Sequence, residues 1–272
     1  VLTAIAGVVS GTTIDIRFNP SSSGSFSGNI VHTSNGATNV NLSVNGFALA
    51  SEPITPSTIS FGTISGNSIV VNTAGGSGTS RIIVIRQASS VSFSPTDGQA
   101  VTGVNSIFTS ATDQGSGNKI VYDGTGNTVT VTGLSANTAY YFTVFEYNGN
   151  GATSNYQLTG AGTATTSTLE SEPTTSATVT LTRMKTDSSF IAFAGGNGTG
   201  RIVILSTSSV SFVPVDGLTY TGASSDFTSA PDLGSGNKLI FSGSATTTMY
   251  ITGLAAGTTY YLRSYEYNGL SV

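Results

Sequence analysis

The sequence predicts an all-β protein built of tandem two-sheet sandwiches. Three observations carry this. No stretch of helical length shows a 3.6-residue amphipathic period, and the apolar runs are instead short and bounded by Gly, Ser, Asn and Asp clusters. The chain also duplicates itself at an offset of 120 residues, falling to 119 in the middle. Finally, the 272 residues hold 24 Phe and Tyr and 38% hydrophobic residues, which is too apolar for a disordered hydroxyl-rich stalk despite 41 Ser, 43 Thr and 34 Gly.

The duplication is read directly from matched segments. Ser51-Glu52-Pro53 returns as Ser171-Glu172-Pro173, and GTSRIIVI from Gly78 returns as GTGRIVIL from Gly198. PTDG at Pro95 matches PVDG at Pro214, and GSGNKIVY at Gly115 matches GSGNKLIF at Gly234. TGLSANTAYYFTVFEYNG from Thr132 matches TGLAAGTTYYLRSYEYNG from Thr252. Three units follow: residues 1–50, a first copy over 51–169 and a second over 170–272.

In the first copy the pattern predicts strands over Ser68–Asn72, Arg81–Arg86, Lys119–Tyr122, Thr128–Val131, Tyr140–Tyr147 and Tyr156–Thr165. About seven strands in such a span suit a two-sheet sandwich. On Tyr140–Tyr147 the period of two puts Tyr140, Phe142, Val144 and Glu146 on one face, as it does Arg81, Ile83 and Ile85 on their own strand.

Leu134, Thr138 and Tyr140, then an alternating run to Asn148-Gly149, resemble the fibronectin type III domain, and Leu254, Thr258, Tyr260 and Asn268-Gly269 repeat the pattern. The resemblance implies an immunoglobulin/fibronectin III-like sandwich with a tyrosine corner, in which the Tyr140 and Tyr260 hydroxyls meet backbone a few residues upstream. It also implies that the strand of Arg81 neighbours that of Glu146. Arg81 is therefore expected to pair with Glu146, and Arg201 with Glu266, near one pole of each sandwich. The second strand of the family usually buries a Trp, and this chain has none. Phe190 and Phe193 are the candidates to fill that space in the second copy. The first offers only Ile69, Val70 and Val71, so its core is expected to be thinner.

The full pattern is similar to tandem fibronectin-type repeats of large secreted Bacteroidetes proteins, which typically leave the cell by type IX secretion; the likeness covers about 220 residues. Before it, Phe18-Asn19-Pro20, Gly24, Phe26, Gly28, Ile30 and the run Asn39–Gly46 resemble the C-terminal half of an immunoglobulin-like domain of the ASPM/SPD-2/Hydin type, found in choice-of-anchor surface proteins. Alternation from Val40 to Val44 predicts a half-buried final strand there. Residues 1–50 match only half of that domain, and the second copy stops short of the strand assigned to Tyr156–Thr165 in the first. A window on a longer protein is expected.

Composition excludes much chemistry. One His and no Cys cannot build a zinc site, and only His32 could serve a Ser-His or Cys-His nucleophile. His32, on the alternating strand Asn29–Thr33, reads as a surface residue. Nine basic residues spread along a chain of net charge −4 give no phosphate-binding stripe, so no nucleic acid is expected. No run of about 20 apolar residues could span a membrane. No catalytic, cofactor-binding or metal residues are assigned, and no cofactor is expected.

Three further features have two readings each. Asp97-Gly98 and Asp216-Gly217 read as turns rather than calcium ligands, since no D-x-D-x-D run accompanies them. GSGNK at Gly115–Lys119 and Gly234–Lys238 looks like a phosphate loop but lacks its spacing and following helix, so it reads as a hairpin turn with a solvated Lys. Tyr141, Thr143, Phe145 and Tyr147, with Tyr261, Arg263, Tyr265 and Tyr267, form the opposite face of their strands. They are either a sugar-stacking platform or a packed face under a long connection. The Ser-Glu-Pro linkers are short and Pro-stiffened, which suits a rod.

Three function classes follow. The first is non-catalytic stalk modules of a large secreted cell-surface protein, an adhesin or filament component. The alternatives are accessory spacers of a secreted hydrolase and a weak carbohydrate-binding module. The partners expected are neighbouring domains of the same chain, secretion machinery or surface glycans, and the resemblance implies a location outside the cell or on its outer surface.

Overall fold

A computed structural model describes residues 13–269. Its first unit is a two-stranded antiparallel hairpin, β1 (Gly24–His32) on β2 (Val40–Ala48), with Phe18 packed edge-on against Phe26 at 5.6 Å. The half-burial expected of Val40–Val44 is absent among the described residues: Val40, Leu42 and Val44 are 63, 54 and 41% exposed. Two strands make one layer, and alternation produces burial only where a second layer covers the apolar face.

The first copy is a two-sheet sandwich. One sheet has the order β3 (Thr58–Ile64), β4 (Ile69–Ala74), β7 (Thr128–Val131). The other has the order β10 (Gly162–Ser167), β8 (Ala139–Asn148), β5 (Ser80–Gln87), β6 (Lys119–Gly124), with the short β9 (Asn155–Tyr156) also on β8. All pairings within these sheets are antiparallel. The chain is all-β, an immunoglobulin/fibronectin III-like sandwich in tandem. The expected strand over Tyr156–Thr165 is two strands, because residues 157–161 leave the ladder through Gly160 at φ +74°.

The core between the sheets takes Ile69, Val71 and Val131 from one side and Ile83, Ile85, Tyr140, Phe142 and Val144 from the other, the faces that the period of two assigns. This core is not thin. Phe61 packs on Phe142 at 5.0 Å and Phe108 lies edge-on to Tyr140 at 5.4 Å, so aromatics from elsewhere replace the missing Trp. A bulge between Ile83 and Val84 in the β5–β6 ladder turns Val121 inward and Ile120 outward.

The second copy repeats the plan with β11 (Ala177–Met184), β12 (Ser189–Gly195) and β15 (Thr248–Ile251) in one sheet. The facing sheet is β14 (Lys238–Ser244), β13 (Gly200–Ser206), β16 (Tyr261–Tyr267). The bulge recurs between Val203 and Ile204. Phe193 is buried in the core as expected; Phe190 instead lies on the other face beside Tyr250, at 6.5 Å.

Residues 91–101 form a third layer, while Phe108, further along the same connection, enters the core between the sheets. Val91, Phe93 and Val101 cover the outer face of β5 and β8, enclosing Ile82, Val84, Ile120, Phe145 and Tyr156. In the second copy Val210, Phe212 and Tyr220 do the same over Ile202, Ile204 and Leu239. A connection this long survives in a compact domain because it buries a face that would otherwise be wet.

Candidate functional site: the poles and joints between modules

At one pole of each sandwich the expected ion pair forms. Arg81 Nε donates to Glu146 Oε1 at 2.8 Å, and Arg201 Nε to Glu266 Oε1 at 2.7 Å, with all four side chains at least nine-tenths buried. Register explains it: Arg81 is the cross-strand partner of Glu146, and Arg201 of Glu266. Buried charges persist only when their remaining hydrogen-bonding capacity is met. In the first copy it is. Glu146 Oε1 also accepts from Ser57 Oγ at 2.6 Å and Oε2 from the Gly78 N–H at 3.0 Å. Arg81 Nη1 donates to the Gly126 carbonyl at 2.9 Å and to Asn127 Oδ1. One ion pair thus ties together the start of β3, the β4–β5 loop and the β6–β7 loop. In the second copy Arg201 stacks on the Phe193 ring at 4.5 Å and donates to the Thr246 carbonyl, but Ala177 stands where the first copy has Ser57. Glu266 Oε2 is buried without a hydrogen-bond partner.

The same poles receive the linkers. Asn148 Oδ1 accepts from the Thr79 N–H while its Nδ2 donates to the Ser51 carbonyl, both at 2.8 Å. Asn268 does the same with the Thr199 N–H, at 3.0 Å, and the Ser171 carbonyl, at 2.8 Å. Just beyond, Ser77 Oγ accepts from the Ile54 and Thr55 N–H groups, and Asn197 Oδ1 from those of Thr174 and Thr175. Leu49 lies over Gly98 and Leu169 over Gly217, so each Asp-Gly turn seats the leucine of the preceding linker. Both glycines hold positive φ, +73° and +76°, as the turn reading requires. The second linker is also fastened behind: the Leu169 N–H donates to the Ser65 carbonyl at 3.1 Å, and the Asn137 N–H to the Leu169 carbonyl at 2.8 Å. Sequence reasoning read Asn148 and Asn268 only as strand ends. Their recurrence in YNG was the available signal.

The GSGNK loops bind an anion, but it is their own. Gly115, Ser116 and Gly117 hold φ of +104°, +56° and +81°, and Asp113 Oδ1 accepts from the Gly115 and Gly117 N–H groups at 2.8 and 3.0 Å. Asp232 takes the Gly234 N–H at 2.8 Å in the second copy. Lys119 is not solvated as expected: its Nζ donates to the Phe108 carbonyl at 2.8 Å and lies over the Phe108 ring. Asn118, 2% exposed, pins the outer layer through Ser92, and Asn237 does so through Ser211.

The aromatic outer face is packed rather than open. Phe145 is buried, Tyr147 stacks on Tyr156 at 4.9 Å, and the Tyr147 hydroxyl donates to Asp123 Oδ1 at 2.7 Å. Desolvation, then the Asp123 carboxylate, raise the Tyr147 pKa; desolvation likewise raises those of Tyr156 and Tyr265. Tyr265 and Tyr267 lie under the second copy's outer layer, and Tyr261 stays 47% exposed. The tyrosine corners form as expected, the Ser135 N–H donating to the Tyr140 hydroxyl and the Ala255 N–H to that of Tyr260, both at 2.9 Å. His32 is exposed on β1 opposite Val40. No cluster of three or more potential metal ligands exists among the described residues, and no helix there is long and apolar enough to cross a membrane.

No family model and no curated protein matches the chain. Among solved structures it is similar to a two-domain fibronectin type III segment of chicken tenascin, at 10% identity and a TM-score of 0.32, over 80% of this chain and 94% of that one. It is similar also to the FN1–FN3 domains of chicken CNTN1, at 12% identity and TM-score 0.40, over 88% of this chain and 70% of that one. A third likeness is to the central fibronectin-III array of RIM-binding protein, at 10% identity and TM-score 0.26, over 78% of this chain and 62% of that one. At such values the fold assignment rests on the strand order and register described above.

Proposed function

We propose that the chain is a run of non-catalytic spacer modules, divided at residues 50/51 and 169/170, from the stalk of a large secreted cell-surface protein, an adhesin or filament component. The observation that carries this is the duplicated joint. In both copies the same asparagine bonds its own sandwich and the incoming linker, and the same Asp-Gly turn seats the linker's leucine. A spacer must hold neighbouring modules at a set angle, which a Gly/Ser tether does not do. The weakly charged Ser/Thr/Gly composition, 8% charged residues, keeps such a rod hydrated without strong fields. Likeness to Bacteroidetes repeats points to type IX secretion, with adjacent modules and the secretion machinery as partners.

Small-angle scattering tests the spacer role. The wild-type chain is expected to scatter as one elongated body, and Asn148→Ala with Asn268→Ala to broaden its distance distribution while each sandwich stays folded. A distribution unchanged by the double substitution refutes pinned joints. The intact mass of the native polypeptide tests the parent: several hundred kDa fits a stalk (~100 residues per module), while under ~100 kDa leaves room for few modules beside one catalytic domain.

A further inference from the structure

The β4–β5 loop and its β12–β13 counterpart differ at one residue. Where the first copy has Ser77-Gly78, the second has Asn197-Gly198. Both side chains do the same work at the joint. Ser77 Oγ accepts from the Ile54 and Thr55 N–H groups, both at 2.9 Å, and Asn197 Oδ1 from those of Thr174 and Thr175, at 3.0 and 2.9 Å. The asparagine brings something the serine lacks: a side-chain carbonyl carbon that the next backbone nitrogen can attack. Glycine, with no Cβ, hinders that attack least.

Three groups converge on this step. The two N–H donors on Asn197 Oδ1 stand where negative charge develops when Cγ becomes tetrahedral, the arrangement of an oxyanion hole. The Glu266 carboxylate lies against the loop: a Cβ on Gly196 would stand 2.9 Å from its Oε2, and one on Gly198 2.9 Å from its Cβ. In the first copy the equivalent oxygen, Glu146 Oε2, accepts from the Gly78 N–H at 3.0 Å. In the second, Oε2 is buried without a hydrogen-bond partner, so its lone pairs are free to receive the Gly198 proton. Asn197 is exposed, and its Nδ2 donates to Thr174 Oγ1 at 3.1 Å. Asn148 and Asn268 are also followed by glycine, but each Oδ1 accepts from a single N–H.

We propose that Asn197-Gly198 is a self-modifying site, which closes to a succinimide and opens to an aspartyl or isoaspartyl residue. The Gly198 nitrogen gives its proton to Glu266 Oε2 and bonds to Asn197 Cγ. Oδ1 takes the displaced electron pair, held by the Thr174 and Thr175 N–H groups. The oxyanion collapses, the Cγ–Nδ2 bond breaks, and the amide nitrogen leaves as ammonia with the proton that Glu266 held. One water then opens either C–N bond of the ring. Asparagine and water become aspartate or isoaspartate and ammonia, with no oxidant or reductant. The event occurs once per chain, so the spacer reading stands beside it. Its product cannot donate to Thr174 Oγ1, and the isoaspartyl form adds a methylene to the backbone. The second joint is altered; the first, with Ser77, is not.

The test is incubation of the 272-residue chain at neutral pH, followed by peptide mapping in the mass spectrometer and isoaspartyl labelling. The succinimide registers as a loss of ammonia and the products as a one-dalton gain at Asn197. In the folded chain Asn197 is expected to convert at least about tenfold faster than Asn148 and Asn268, which are internal controls. It should also convert at least about tenfold faster than in the same chain unfolded by urea, where donors and base are dispersed. Glu266→Gln should lower the folded rate to about that in urea, with circular dichroism checking that the variant folds. The wild-type comparison between folded and urea-unfolded chain decides the matter even if that variant does not fold. An Asn197 that converts no faster folded than in urea, or no faster than Asn148 and Asn268, overturns the proposal. So does a folded Glu266→Gln chain that reacts at the wild-type rate.

Discussion

Removing one hydroxyl, in Ser57→Ala, should cost the first sandwich about as much as the second already forgoes. Ser57 is 2% exposed and its Oγ lies 2.6 Å from Glu146 Oε1, the distance of an O–H···O⁻ bond. Hydrogen bonds to charged groups contribute about 1.5–3 kcal/mol. The same oxygen keeps Arg81 Nε at 2.8 Å, and Oε2 keeps the Gly78 N–H, so the carboxylate is not orphaned and the low end applies. The expected loss is about 1.5 kcal/mol, or roughly tenfold in the opening equilibrium. A chain of several domains does not unfold in one step, so the readout must be local. Hydrogen exchange of the β5 amides reports the first copy and that of β13 the second. Ser57→Ala should accelerate β5 exchange about tenfold and leave β13 unchanged. The reciprocal Ala177→Ser, supplying a donor beside Glu266, should slow β13. Ser60→Ala, an exposed change on the adjoining β3, is the control. If Ser57→Ala matches Ser60→Ala, the short bond contributes nothing and the account of the pole is wrong.

Arg81→Met leaves the Glu146 carboxylate buried with Ser57 and Gly78 only, and should destabilise the first sandwich by about 3–5 kcal/mol in denaturant, far more than any surface arginine substitution. Alkaline titration followed by tyrosine absorbance should show Tyr147, Tyr156 and Tyr265 ionising above the ordinary phenol value of about 10, because burial disfavours the phenolate. With folded pKa values raised, their stabilisation is complete below pH 10 and declines as pH climbs through the higher folded values, so unfolding should accelerate there.

What the sequence determines by itself is the repeated plan. Strand faces follow from a period of two, so the inward set of Ile83, Ile85, Tyr140, Phe142 and Val144 was legible without coordinates. The Arg81–Glu146 pair was legible too, once its two strands were taken as antiparallel neighbours through the family resemblance. Chain-distant packing decided the rest. The first core is full because Phe61 and Phe108 enter it from segments outside the predicted strands. Lys119 is held by a carbonyl 11 positions earlier, which hairpin reasoning does not reach. The outer face of β8 is open to two readings in the sequence, and the long connection decides between open and packed there, since Val91, Phe93 and Val101 cover Phe145. Alternation marks which side of a strand is apolar; only the surrounding fold decides whether anything covers it. The outer face of β8 shows this most plainly: Phe145 is buried there because Val91, Phe93 and Val101 lie over that sheet.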